Sequence, residues 1–442
     1  MNAHASLTLA AVLLAGCGGG RPGAELSATA FPEQDKKDDT MTDLVETYVK
    51  LTLAMGQHDP AYVDAYYGPP QWREEVEKER LSLPAIRVDA RALVARLEST
   101  PSPPGDALAG LRHRYLQKHL RALLARIDIV EGKKLRFDEE SLLLYDAVAP
   151  RIPDARFEAV LGRLEGEVPG KGPLLPRIDA LRDALIIPRD KLEAVFDAAI
   201  RECRTRTLAH IKLPEGESFS VEYVTGKPWG AYNWYQGNFR SVIQVNTDLP
   251  IYLDRAVDLA CHEGYPGHHV MGVLIEQRLV RERGFQELTV LPLFSPTGLI
   301  AEGTANYGIE LAFPGEERAA FEQTVLAPIA GLDPRRAATW AQVTAHMKEL
   351  KHASNQAARR YLDGEIDRAA AAVYLTHFSL MQPERAKKYI TFIDANRSYV
   401  INYNLGEDLV RAALEKRAPD PAKRWAAFET LISSPMTAGE LR

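Results

Sequence analysis

Cysteine is nearly absent from this sequence: three residues in 442, too few for a disulfide framework to stand in for a hydrophobic core. Long apolar runs are missing too. Beyond the N-terminal stretch described next, no segment reaches the roughly 18 apolar residues that span a bilayer. Nor does positive charge predominate. The 54 Lys and Arg stand against 60 Asp and Glu, a net charge of −6, which argues against nucleic acid as a partner. The one basic stretch, "LRHRYLQKHLRALLAR" (111–126), alternates charges with leucines at helical spacing and reads as a solvated helix face. No G-x-S-x-G, P-loop or Rossmann glycine pattern occurs, so those chemistries have no anchor here. What remains, 46% hydrophobic and 26% charged residues, is ordinary globular composition, enough for one large domain or two of usual size.

The N-terminus carries an address. "SLTLAAVLLAGC" (6–17) is an apolar run of signal-peptide length. It ends in Leu14-Ala15-Gly16-Cys17, which resembles the lipobox of bacterial lipoproteins, although "MNAHA" ahead of it lacks Lys or Arg. The resemblance implies lipidation at Cys17 and a lipid-anchored protein of the bacterial cell envelope. Residues 18–41 are rich in Gly, Pro and charge and read as a flexible tether; a translation start at Met41 would remove both segments. Residues 42–442 are then the folded domain, with a helical part (42–210) and a metal-site part (211–442).

Helical periodicity dominates from Met41. Leu44, Tyr48, Leu51 and Met55 share one stripe of 43–57, and "HDPAYVDAYYGPPQW" (58–72) reads as a turn-rich connection. Texture changes at 218. "SFSVEYVTG" (218–226) and "FRSVIQVNT" (239–247) alternate as strands, with the turn-like "KPWGAYNWYQGN" (227–238) between them. "DLPIYLDRAVDLACHEG" (248–264) follows as a helix with Asp248 as N-cap, and Cys261 reads as a buried thiol.

"CHEGYPGHHV" (261–270) begins like the zinc signature H-E-x-x-H, but Pro266 stands where the second histidine belongs and histidine returns at His268 and His269. Zinc holds its ligand atoms at about 2.0–2.2 Å, so two ligating imidazoles must converge. On an unbroken helix His268 points about 240° away, and His269 faces correctly but lies about 10.5 Å along the axis. Neither serves on an ideal helix. Pro266 lacks an N–H and clashes with the His262 carbonyl, while Gly267 accepts unusual backbone angles. A distortion absorbing two residues would bring His268 to the usual i+4 place. Glu302, on the helix opened by Ser295-Pro296, is the candidate third ligand, with Glu310 as a supporting group.

These residues resemble a known family. "HEGYPGHH" (262–269) is similar to the H-E-x-x-P-G-H motif of the DUF885 family of bacterial proteins. "AEGTANY" (301–307) resembles its E-G-x-A-x-Y helix through Glu302, Gly303, Ala305 and Tyr307, and "YNLGEDL" (403–409) its Tyr-x-x-Gly element through Tyr403 and Gly406. The resemblance covers 42–442 and implies a mainly α, multi-helix, zincin-like metallopeptidase fold, here with a small antiparallel β-sheet beside the active-site helix. It favours His268 over His269. The family's Asp-x-x-x-His has no counterpart in "LDGEID" (362–367), so no role transfers there.

The chemistry so implied is peptide hydrolysis. His262, His268 and Glu302 would hold Zn2+, Glu263 would act as general base, and Tyr403, ahead of Tyr399 and Tyr307, would face the oxyanion. The strand 239–247 could pair with an extended peptide substrate, Asn246 adding a contact. Arg240 or Arg397 would meet a terminal carboxylate. The rival reading is a non-catalytic tethered lipoprotein with a structural metal, His269 completing four ligands, or with none. The presence of Glu263 separates the two, since a structural site needs no base.

Overall fold

The computed structural model describes residues 39–100, 105–227 and 229–442; the expected signal segment with Cys17 lies outside the described residues. The first helix, Asp39–His58, starts inside the stretch expected as tether. It buries the Leu44, Tyr48, Leu51 and Met55 stripe. Helices Leu83–Ser99 and Ala107–Val130 pack on it, each begun by a polar cap: Ser82 and Asp106 accept from the Ala85 and Ala109 N–H groups. The basic stretch lies on the second of these, and its charges are neutralised within the molecule: Arg112 by Glu287, Lys118 by Asp146 and Arg126 by Asp59. Helices dominate the rest of the chain, and one hydrophobic core takes residues from both 42–210 and 211–442. Among the described residues no helix is long and apolar enough to cross a membrane.

Among the described residues five short strands complete the fold: β1 (Val63–Tyr66), β2 (Ser218–Val224), β3 (Ala231–Gly237), β4 (Arg240–Asn246) and β5 (Val290–Pro292). β1 pairs antiparallel with β5, but the register slips between Val63, opposite Pro292, and Ala65, opposite Leu291. Asp64 therefore sits on a bulge, inside the stretch read as a turn-rich connection.

The other sheet corrects two expectations. Its order is β2-β4-β3, with β2 parallel and β3 antiparallel to β4, so it is mixed rather than antiparallel. The cause is the segment read as a turn, most of which is strand β3. Passing out along β3 returns the chain to run β4 in the same direction as β2. β4 is thus the central strand, paired on both sides, and cannot receive a peptide at its edge; the edges belong to β2 and β3. Asp248 is not an N-cap either. Its carboxylate accepts from the Gly226 N–H, and the helix begins at Leu253 behind Tyr252, because residues 251–253 are still bonded to the backbone of Leu185 and Ile187.

Cys261 is buried but is not a thiol. It forms a disulfide with Cys203, their Cα atoms 5.6 Å apart and 58 residues apart in sequence, joining helix Leu192–Leu208 to the turn that carries His262. A loop of that length is worth about 4 kcal/mol in the unfolded chain. A Cys203→Ser, Cys261→Ser double variant should lose stability of that order in urea titrations, and reductant should have little effect on it.

Candidate functional site

Helix Leu253–Leu259 widens into a π-type turn over Ala260–Gly264. There the Tyr265 N–H reaches the Ala260 carbonyl at 3.1 Å and the Gly267 N–H that of Cys261 at 2.9 Å. Tyr265–Pro266 is cis, and a new helix, His268–Ile275, starts at once. Gly267 admits no side chain: a Cβ would lie 1.8 Å from the His262 carbonyl oxygen and 2.5 Å from that of Cys261. The wide turn and the Pro-Gly step absorb the extra residues. The rings of His262 and His268 consequently meet edge to face, centroids 4.6 Å apart. Ligand-type atoms of His262, Glu263 and His268 all lie within 4.8 Å of one another.

Glu302 arrives from helix Pro296–Ala312, which crosses helix Ile401–Arg417 at backbone contact. Gly303 and Gly406 make the crossing: a Cβ on Gly303 would lie 2.4 Å from the Gly406 carbonyl carbon, and one on Gly406 2.7 Å from the Leu299 carbonyl oxygen. At this depth Glu302 Oε2 stands 3.3 Å from His262 Nε2. The Tyr399 hydroxyl donates to Glu302 Oε1 at 3.1 Å, whereas the buried Oε2 carries no well-formed hydrogen bond.

Asn306, passed over in the sequence although it lies within "AEGTANY", sets the imidazole. Its Nδ2 donates to the Tyr403 carbonyl at 2.8 Å, which turns Oδ1 to accept from His262 Nδ1 at 2.9 Å. The proton is thereby held on Nδ1, and the Nε2 lone pair faces Glu302 and His268. Asn306→Ala should weaken zinc binding by about 10- to 100-fold, the usual cost of losing such an outer partner, measured by competition with a chromophoric chelator.

Burial opposes charge throughout the site, and the neighbours decide the outcome. Burial works against protonation of His262, but the contact with Glu302 and the charge of Glu263 outweigh it and hold its pKa above the usual value. Burial and the His262 charge push His268 down to about 4. Glu302 is held below the ordinary range, burial being overcome by the two histidines and the Tyr399 hydroxyl. Glu263 is pushed up to about 7 by burial, with Glu302 adding to it and His262 opposing. Asp64 also rises to about 7, through burial and the charges of Glu302 and Glu263. Two carboxyls thus stand close together in opposite states. Glu302 is the ionised one, with a spare oxygen; Glu263 is the one poised to exchange a proton, and its carboxyl bonds to no described residue. Two neutral-capable imidazoles with an ionised carboxylate form a donor set that suits catalytic zinc, and the spare Glu302 oxygen fits a cation.

Other expected residues lie elsewhere. His269 is fully buried and bound at both nitrogens, Nδ1 to Ser241 Oγ at 2.9 Å and Nε2 to Glu217 Oε2 at 3.0 Å, so it is not a spare ligand. The ring of Tyr403 does not line the pocket; it packs edge-on against Tyr399, centroids 5.7 Å apart. The phenol at Glu302 is that of Tyr399, and Tyr403 contributes its carbonyl. Tyr307 packs on Phe428. The Asn246 amide donates to the Lys227 and Trp229 carbonyls, closing the β2–β3 connection rather than awaiting substrate. Arg240 is exposed at the start of β4 and off the pocket, Arg397 is bound to Glu140, and Glu310 pairs with Arg411. The pocket itself is walled by β1, β3, β5 and the two motif helices, and Asp64, unnoticed in the sequence, lines it beside His262, Glu263, His268 and Glu302.

No protein family and no curated protein matches this chain. Among solved structures it is similar to one described as "the putative lipoprotein from Colwellia psychrerythraea", at 13% identity and a TM-score of 0.53, over 92% of this chain and 76% of that one. A "putative lipoprotein of unknown function from Shewanella oneidensis" matches at 12% identity and a TM-score of 0.49, over 91% and 83%. An M32 carboxypeptidase from Deinococcus radiodurans R1 matches at 12% identity and a TM-score of 0.40, over 91% and 93%. The first of these shows a shared, mainly helical fold.

Proposed function

We propose that this protein is a zinc-dependent peptidase of the DUF885 type, tethered to the bacterial cell envelope through Cys17. One observation carries the reading: His262 meets the ring of His268 at 4.6 Å and Glu302 Oε2 at 3.3 Å, that oxygen carries no well-formed hydrogen bond, and the ligand-type atoms of Glu263 lie within 4.8 Å of both histidines. Zinc, when bound, would lower the pKa of a water to about 7 and polarise the scissile carbonyl. Glu263 accepts the proton of the attacking water and delivers it to the leaving nitrogen, a double duty that suits a carboxyl near pH 7. Asn306 and Tyr399 position His262 and Glu302. The free edge of β3 lies along the pocket, tied to the motif by the Asn233 amide, which donates to the Glu263 carbonyl at 2.6 Å. An extended peptide can add to that edge. The structural-metal reading loses the fourth ligand named for it, because both nitrogens of His269 are engaged.

The test is metal content by mass spectrometry together with digestion of a mixed peptide library. The expected result is about one zinc per chain, cleavage that stops on chelation and returns with zinc, and fragments that report whether cuts are terminal or internal. Failure to take up metal under any condition sinks the reading.

A further inference from the structure

The hydrolysis above makes no use of Asp64, yet the fold places this side chain deliberately. It occupies the bulge of β1, where the ladder with β5 slips by one residue, and bulges beside active sites commonly re-aim a side chain. Its carboxyl lines the pocket with Glu263 and Glu302 and makes no hydrogen bond or ion pair with any described residue. An unpaired carboxylate in such a place carries a desolvation cost that a cation would relieve.

The rest of the pocket lining tells the same story. Among the described residues no lysine or arginine contributes to it, and the two arginines considered for a terminal carboxylate are elsewhere. Tyr67, Tyr115 and Tyr235 turn their hydroxyls to the Leu288 carbonyl, Thr297 and Glu276, so they offer mainly ring surface, which also attracts cations. A bound divalent ion would balance the charges of Glu302 and Glu263 and leave that of Asp64 over.

We infer that Asp64 is a specificity-determining residue that receives a positively charged nitrogen of the substrate, its free α-amino group or a lysine or arginine side chain beside the scissile bond. The inference rests on the peptidase reading and names its substrate class: cationic peptides, with a terminal carboxylate left unrecognised.

Two peptide pairs test it, one differing by acetylation of the amino terminus and one by lysine against norleucine. For the wild-type protein, kcat/KM should favour the charged member of one pair by roughly 10- to 100-fold, the range of a charge-assisted hydrogen bond, mostly through KM. In Asp64→Asn that ratio should fall to within about twofold, an unchanged unfolding midpoint confirming an intact fold. The pair that responds tells α-amino group from side chain. Equal cleavage within both pairs by wild type, or a ratio preserved in Asp64→Asn, overturns the inference. If wild type cuts no peptide, the peptidase reading fails separately, and calorimetric binding of the same pairs decides on Asp64: tighter binding of a charged member, lost in Asp64→Asn, supports it, and equal binding overturns it.

Discussion

Glu263→Gln should lower kcat by about 10²- to 10⁴-fold, the usual contribution of a positioned general base, while the protein keeps its zinc. Glutamine fills the same space, its amide oxygen accepting as a carboxylate oxygen does and its amide nitrogen donating on the side where a protonated carboxyl would, so the folded site persists. What it cannot do is take a proton. The pH profile separates this from a merely structural role. Burial raises Glu263 to about 7 in the metal-free site, and a bound cation lowers it, so the wild-type acid limb should fall away below pH 7 as the carboxylate protonates. In Glu263→Gln the residual rate should lose that limb. A variant that drops zinc, or that keeps near-wild-type kcat, would overturn the assignment. Steady-state kinetics across pH, with metal content measured on the same samples, gives the answer.

The second large effect is mechanical. Gly303→Ala places a methyl group 2.4 Å from the Gly406 carbonyl carbon, in a contact made of backbone on both sides with no rotamer able to yield. The two helices must separate. Overpacking of this kind costs about 3 kcal/mol, and the separation also carries Glu302 and Asn306 away from His262. We expect lower stability in denaturant and weakened zinc binding together, with Gly406→Ala behaving alike. Normal metal affinity in a destabilised Gly303→Ala protein would show that the crossing holds the fold but not the site.

Much of this was legible in the sequence because it depends on local rules. Proline and glycine after a helical histidine announce a distorted turn, and the stripe of Leu44, Tyr48, Leu51 and Met55 announces a buried face. Their consequences are local, and the helical fold followed. What stayed hidden depends on pairing across the chain. β3 was concealed because Gly230 and Gly237 bracket its aromatics with turn residues, and missing it reversed the reading of β4. Asp64 gains meaning only when β1 meets β5, more than 220 residues on in sequence. The carbonyl of Tyr403, rather than its phenol, supports the site, and no side-chain pattern reports a carbonyl. The glycines of "AEGTANY" and "YNLGEDL" could be noticed as motif residues, but that they touch one another is a fact of helix crossing.

The Cys203–Cys261 bond gives the centre a geography. Disulfides persist where thiols are oxidised and are rare in the reducing cytosol, and this one fastens the residue next to His262. A newly made chain in a reducing cytosol would carry that turn unfastened; with the envelope location proposed above, the brace would close on the far side of the membrane. The peptidase proposed above would then be least complete where its own cell's peptides are made, and would reach its finished form after leaving them behind.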